Sequence, residues 1–227
     1  MDKTFLCGDV HGKTDKLETF YSFLDGGDKL IQLGDIGFSR AWQHVKRFSS
    51  PLDFLCIAGN HDHRMAYETS EVHAGDYGFN EDFTSFPFFF IRGGISLDRH
   101  WRINEELAGN PKTWWSSEEL NFSQMLQCLD LYKWAKPSIM FTHAAPTKIK
   151  NLILGENKEG DFPRKFGFEV DWDENTGFLI DECIKIHKPD IHVFGHLHKS
   201  FNKVVDGCRY ICLNEMETVE INQYLKF

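Results

Sequence analysis

The sequence predicts an α/β fold organised around a largely parallel sheet, and three observations lead there. The first third alternates short apolar runs with helix-patterned segments over brief connections, the pattern of βαβ units. Several apolar runs stop at an Asp, Asn or His beside a glycine, where a buried strand hands over to a loop and binding groups gather. The 227 residues, 41% hydrophobic with 21 Phe, suffice for a sizeable core, so residues 1–227 are read as a single domain.

Taken in order, strands are expected at residues 4–7, 30–33 and 54–57, each ending in a polar loop. Helices are expected between them at residues 15–24, where Leu17, Phe20, Tyr21 and Leu24 fall at helical spacing, and at residues 40–48. Residues 86–91 read as a further strand, with Pro87 marking its start or a sheet edge, and the flexible Gly93-Gly94 step follows. Trp114-Trp115-Ser116-Ser117-Glu118-Glu119 reads as the start of a helix with a Ser cap and an acidic first turn, running to about Trp134 and stopping before Pro137. Residues 138–141 form a strand leading into Thr142-His143. The charged, aperiodic residues 155–167 read as a mobile loop over a site. A helix near residues 175–187 precedes the strand 191–194 and the turn 195–198. The tail reads as antiparallel strands at residues 201–205, 209–213 and 218–221, with Asp206-Gly207 as a hairpin turn.

Charge and composition narrow the function classes. A net charge of -9 argues against a broad nucleic-acid surface, which needs clustered Lys and Arg. No apolar stretch is long enough for a bilayer, and Met1 leads straight into the first strand without a basic-then-apolar leader, so no membrane contact and a cytoplasmic location are expected. The six Cys form no Cys-x-x-Cys pair and are read as reduced, mostly buried thiols, with zinc binding by Cys208 and Cys212 as the lesser alternative.

The chemistry sits in five short motifs: Gly8-Asp9-Val10-His11-Gly12, Gly34-Asp35, Gly59-Asn60-His61-Asp62, Thr142-His143 and Gly195-His196-Leu197-His198. The one-residue gap between Asp9 and His11, repeated between His196 and His198, lets both side chains of a pair face one way in an extended loop. Asp35 offers a carboxylate able to bridge two cations, Asn60 a neutral carbonyl oxygen and His143 a further imidazole. Two Asp offset only part of the charge on two divalent cations, leaving the remainder to attract an anionic substrate. A single Asp or His after a strand is more often a cap or turn residue, but five such motifs in order reverse those odds.

In that order the motifs resemble those of the calcineurin-like metallophosphoesterase superfamily: GD-x-H, GD, GNH followed by D or E, a lone H, and GH-x-H. The resemblance runs from Asp9 to His198 and so covers most of the chain. Trp114-Trp115 and residues 142–146 are further similar to small bacterial and phage-type members. It implies a four-layer α-β-β-α sandwich of two mixed sheets flanked by helices. It also implies that Asp9, His11 and His198 hold one metal ion, that Asn60, His143 and His196 hold the other, and that Asp35 bridges them. Mixed oxygen and nitrogen donors suit Mn²⁺, Fe, Zn²⁺ or Ni²⁺, with Mn²⁺ the expected ion.

Such a pair of ions implies hydrolysis of a phosphate ester by a metal-bridging hydroxide. His61, not needed as a ligand, is expected to bind the phosphate and protonate the leaving oxygen, with Asp62 orienting its imidazole. The expected function is a phosphatase acting on small or nucleotide-like phosphomonoesters. A phosphodiesterase for nucleotides or cyclic nucleotides is one alternative, and a non-catalytic metal-binding regulatory protein another. The phosphoprotein phosphatase branch carries GD-x-x-DRG and RGNHE, where this chain has Gly34-Asp35-Ile36-Gly37-Phe38 and Ala58-Gly59-Asn60-His61-Asp62. The missing arginines speak against protein dephosphorylation. Arg40, Arg64, Arg92, Arg99 and Arg102 are other candidates for gripping phosphate, solvated arginines being the commoner outcome, and His44, His63, His73, His100, His187 and His192 are read as surface or structural. Oligomeric state is not legible in the sequence.

Overall fold

The computed structural model describes residues 2–155 and 175–225. Apart from Gly155, the loop expected over residues 155–167 lies outside the described residues.

Strands β1 (Thr4–Cys7), β2 (Lys29–Gln32) and β3 (Phe54–Cys56) pair in parallel, joined by helices α1 (Thr14–Ser22) and α2 (Ser39–Phe48). A short helix α3 (Arg64–Tyr67) follows, and then β4 (Tyr77–Asn80) and β5 (Phe88–Ile91) open a second sheet as an antiparallel pair. Helices α4 (Arg99–Leu107) and α5 (Phe122–Ala135) lead to β6 (Ile139–Thr142), and α6 (Thr147–Leu154) and α7 (Asn175–Ile186) lead to β7 (Ile191–Phe194). The chain closes with β8 (Phe201–Val205), β9 (Cys208–Cys212) and β10 (Thr218–Glu220). The first sheet is ordered β10-β1-β2-β3 and the second β4-β5-β6-β7-β9-β8. Both are mixed: β10 is antiparallel in the first, β4 and β8 in the second.

Register explains the layering. Leu6, Ile31 and Leu55 stand side by side on one face of the first sheet, and Phe90, Phe141, Val193 and Ile211 on one face of the second. These two rows meet in a shared core. The alternate residues turn outward: Leu30 and Phe54 pack on Leu17, Trp42 and Val45, while Phe89 and Met140 pack on Cys128, Tyr132, Leu179 and Cys183 of α5 and α7. Strands covered on both faces are near-continuous apolar runs, interrupted here by side chains such as Gln32, Thr142 and His192 that are themselves fully buried. Each fully buried Phe or Leu stabilises by roughly 1.5–3 kcal/mol. The outcome is two mixed sheets between helical layers, the architecture the resemblance implied.

Two expectations need correction, and one alternative is settled. Helix α5 does not begin in the Ser116–Glu119 stretch but at Phe122, because Asn121 and Gln124 form a reciprocal capping box with bonds of 3.0 and 2.9 Å. The Ser117 carbonyl upstream is occupied instead by Arg92 Nη1 at 3.0 Å. The tail is not one antiparallel unit: β8 and β9 form the expected hairpin through Asp206 and Gly207 (φ 50° and 86°), but β9 lies parallel to β7 and β10 crosses to the open edge of β1. Pro87 marks a strand start, not a sheet edge, since β5 lies between β4 and β6. Periodicity also missed α3, β4, α4 and α6.

All six cysteines are buried and free. Cys208 and Cys212 close the two ends of β9 in an apolar cluster with Ile149 and Phe194, and neither joins a metal-ligand group among the described residues. Among the described residues, no helix is long and apolar enough to cross a membrane.

Candidate metal centre

The C-terminal ends of β1, β2 and β3 lead into the loops bearing Asp9 and His11, Asp35, and Asn60 to Asp62. Those of β6 and β7 lead into His143 and into His196 and His198. The two sheets thus deliver their motifs to one end of the sandwich.

There the side chains form two adjoining groups. Asp9, His11 and His198 each offer a ligand atom within 4.8 Å of the others, and so do Asp35, His143 and His196. In the first group His198 Nε2 lies 2.8 Å from Asp9 Oδ2 and 2.9 Å from His11 Nε2. In the second, His143 Nε2 lies 2.9 Å from Asn60 Oδ1, and the His143 and His196 rings are 4.9 Å apart. Asp35 stands between them, Oδ2 at 3.8 Å from His11 Nε2 and Oδ1 at 3.5 Å from His143 Nε2.

The backbone is shaped to allow this. His11, Asp35, His196 and His198 have φ of 46°, 57°, 66° and 49°, a left-handed conformation that non-glycine residues adopt chiefly where the surroundings impose it. Two motif glycines permit close approach: a Cβ at Gly59 would overlap Asp35 Oδ1, and one at Gly195 would overlap Asp9 Oδ1.

Electrostatics point the same way. Burial pushes the carboxyl groups of Asp9 and Asp35 up, but neighbouring imidazoles outweigh it and hold both below the usual carboxylate range. Burial pushes His143 down while Asp35 lifts it to about 9; His196, half-buried with its ring desolvated next to His143, falls to about 3. The two buried carboxylates therefore draw on positive charge from the cluster itself. Asp9 Oδ2 is buried and makes no hydrogen bond of proper geometry, although His198 Nε2 is 2.8 Å away. An orphaned carboxylate oxygen facing converging imidazole nitrogens is a donor set that fits divalent transition-metal ions.

His61 lies beside these groups, its ring 5.5 Å from that of His11 and its backbone N–H donating to Asp35 Oδ1 at 2.8 Å. The expectation that Asp62 orients the His61 imidazole is corrected. Asp62 Oδ1 accepts from Gly37 N and Trp42 Nε1 at 2.9 Å each, and Oδ2 accepts from Asp35 N and Gly59 N at 2.8 Å each. His61 Nδ1 is buried without a hydrogen-bond partner. Asp62 therefore ties the second motif to the third. Beyond Asp35, the charged groups acting on His61 are Arg102, Asp98 and His11.

Sequence reading missed Ser96 and Glu118, which join the site through Asn60: Asn60 Nδ2 donates to Ser96 Oγ at 3.0 Å, and Ser96 Oγ lies 2.5 Å from Glu118 Oε2. Glu118 was hidden by a local pattern that looks like a helix start. Of the candidate arginines, Arg92 is buried against Asp76, Arg102 pairs with Asp98 at 2.7 Å and Arg64 with Glu68 at 2.5 Å, while Arg40 lies on α2 in a shallow surface hollow with Gln43, His44 and Arg47. His63 packs on Trp115 at 4.7 Å between ring centres, and buried His192 lies 2.8 Å from Thr142 Oγ1.

Comparison with known proteins adds three findings. The family model described as calcineurin-like phosphoesterase matches residues 3–200. A search of curated proteins finds no match. Among solved structures, the chain is similar to an archaeal phosphodiesterase (13% identity, 94% of this chain and 84% of that one, TM-score 0.40). It is also similar to a phosphopantetheinyl hydrolase from Mycobacterium tuberculosis (12% identity, 94% and 90% coverage, TM-score 0.45).

Proposed function

The chain belongs to the calcineurin-like phosphoesterase family, and we propose that it is a metal-dependent phosphoric ester hydrolase that cleaves small phosphate esters with water. The single observation carrying this reading is Asp35, one carboxylate oxygen toward each of two ligand groups. Asp9, His11 and His198 would hold one divalent cation and Asn60, His143 and His196 the other, with Asp35 shared and Mn²⁺ the expected ion. Bound there, the pair supplies Lewis-acid charge that lowers the pKa of water toward neutrality and offsets the charge of phosphoryl oxygens.

The rest falls to the chain. Water adds to phosphorus opposite the leaving oxygen, the P–O ester bond breaks, and the departing alcohol takes a proton from the His61 imidazole. Burial pushes that imidazole below its ordinary value, Asp35 pulls it up and Arg102 pushes it down. An arriving phosphate anion acts as Asp35 does, so substrate favours the protonated ring that the step needs.

A phosphomonoester is the first reading of the substrate. A diester is favoured by one observation: Arg92 and Arg102 are engaged by Asp76 and Asp98, and a diester carries less charge for such a clamp to offset. The test loads the protein with Mn²⁺, counts bound metal, and compares p-nitrophenyl phosphate with bis(p-nitrophenyl) phosphate. His61→Ala is expected to lose about 100-fold or more in rate with metal content unchanged. Two bound metals without turnover of either ester would favour the regulatory metal-binding alternative, and no bound metal would defeat both.

A further inference from the structure

An Asn side chain has two ends of nearly equal size, and only its oxygen can offer a lone pair to a cation. The surroundings must therefore choose which end of Asn60 faces the centre. Asn60 Nδ2 donates to Ser96 Oγ at 3.0 Å, turning Oδ1 toward His143 Nε2 at 2.9 Å. On its far side Ser96 meets a carboxylate, with N donating to Glu118 Oε1 at 3.1 Å and Oγ lying 2.5 Å from Oε2. Glu118, Ser96 and Asn60 are 6%, 2% and 2% exposed, so water does not scramble the chain of bonds.

A hydroxyl carries one proton. Given to the carboxylate, it leaves only lone pairs on Ser96 Oγ toward Asn60, which must answer with its NH₂ end. We propose that Glu118 is a positioning residue: by fixing the direction of the Ser96 hydroxyl, it selects the oxygen end of the Asn60 amide for the metal centre. The carboxylate is itself anchored. Arg92 Nη1 donates to the Ser117 and Glu118 carbonyls at 3.0 and 3.4 Å, and a Cβ at Gly93 would overlap the Glu118 carbonyl oxygen. The clamp that keeps residues 117–118 out of helix α5 thus also holds Glu118 against Ser96.

The inference rests on Asn60 being a cation ligand, and Glu118→Gln tests it with shape preserved. The Ser96 N–H still needs an acceptor, so the Gln oxygen stays there and its NH₂ faces Ser96 Oγ. The Ser96 proton then turns to Asn60, whose amide flips and aims NH₂ at the centre. At pH 8 the wild type is expected to retain two Mn²⁺ per chain by metal analysis and titration calorimetry. Glu118→Gln is expected to retain one tightly, with the second weakened about 10–100-fold, while the metal-free proteins share one melting temperature. Adding Asn60→Asp to Glu118→Gln supplies oxygen at both ends and should restore the second ion, whereas a packing role predicts no such rescue. Two tight ions in Glu118→Gln, or a double variant no better than the single, overturns the positioning role alone. A wild type that binds no metal defeats the function proposed above and this inference with it.

Discussion

The backbone N–H of Asp35 donates to Asp62 Oδ2 at 2.8 Å, while the backbone N–H of His61 donates to Asp35 Oδ1, also at 2.8 Å. The second and third motifs are therefore cross-bonded main chain to carboxylate in both directions. This locks the residue between the two ligand groups to the residue proposed as proton donor.

Asp62→Ala strips the acceptor from three backbone N–H groups and the Trp42 indole at once. Each unsatisfied buried donor costs about 1–3 kcal/mol, so a loss of about 4 kcal/mol is expected by urea denaturation of the metal-free protein. Trp42→Phe removes one of the four bonds and should cost about 1 kcal/mol beyond its packing change. A loss for Asp62→Ala no larger than for Trp42→Phe would count against this role.

Gly59→Ala places a methyl on Asp35 Oδ1, so Asp35 must move or the loop must open. Bound metal should fall and stability should drop by about 1–3 kcal/mol, as over-packing typically does. Gly26→Ala, where a Cβ meets nothing within 4 Å, is the control and should leave metal content unchanged. Normal metal content in Gly59→Ala would mean that the close approach does not matter.

Burial pushes the His192 imidazole down to about 3. An unfolded His takes its proton near pH 6.5 and the folded one does not, so between those values acid favours the unfolded chain. The stability from keeping His192 neutral is present above pH 6.5 and lost as pH falls toward 3. At pH 5 the loss amounts to about 2 kcal/mol. His192→Gln in metal-free protein should flatten the stability-pH curve by that amount between pH 7 and 5, read by urea midpoints; a parallel curve would refute the assignment.

Cations that bind only the folded chain stabilise it by mass action, about 2.7 kcal/mol at a hundredfold excess over Kd. For a chain of this size that corresponds to a rise in melting temperature of about 5–10 °C with Mn²⁺, reversed by a chelator. Asp35→Ala, which removes the shared carboxylate, should abolish the rise. An equal rise in that variant would place the ions elsewhere.

The sheet framework was largely legible in the sequence. The strands at Thr4–Cys7 and Ile191–Phe194 lie where their apolar runs put them, Phe201–Val205 lies where the Asp206-Gly207 turn signal put it, and β2 is displaced by one residue from the expected 30–33. A strand buried on both faces leaves a near-continuous apolar run, and at most of these ends a glycine and a polar side chain follow it. Local pattern was a poor guide where the deciding partner is remote. The Ser-Ser-Glu-Glu stretch has a good helix-start composition, yet Arg92 takes a carbonyl there and Asn121 caps the helix instead. Strand β10 has no local cue directing it to β1, some two hundred residues upstream.

By itself, the order of residues determined which segments become strands and which side chains stand at their ends, because periodicity and glycine placement are properties of neighbouring residues. Only the tertiary structure decided what each polar group does there. Asp62 lies beside His61 in the chain, but its acceptors are filled by donors 3, 20, 25 and 27 residues away. Glu118 reaches Asn60 through a serine 22 residues from it. A carboxylate goes where buried donors leave it the fewest unmet hydrogen bonds, and those donors are brought to it by folding.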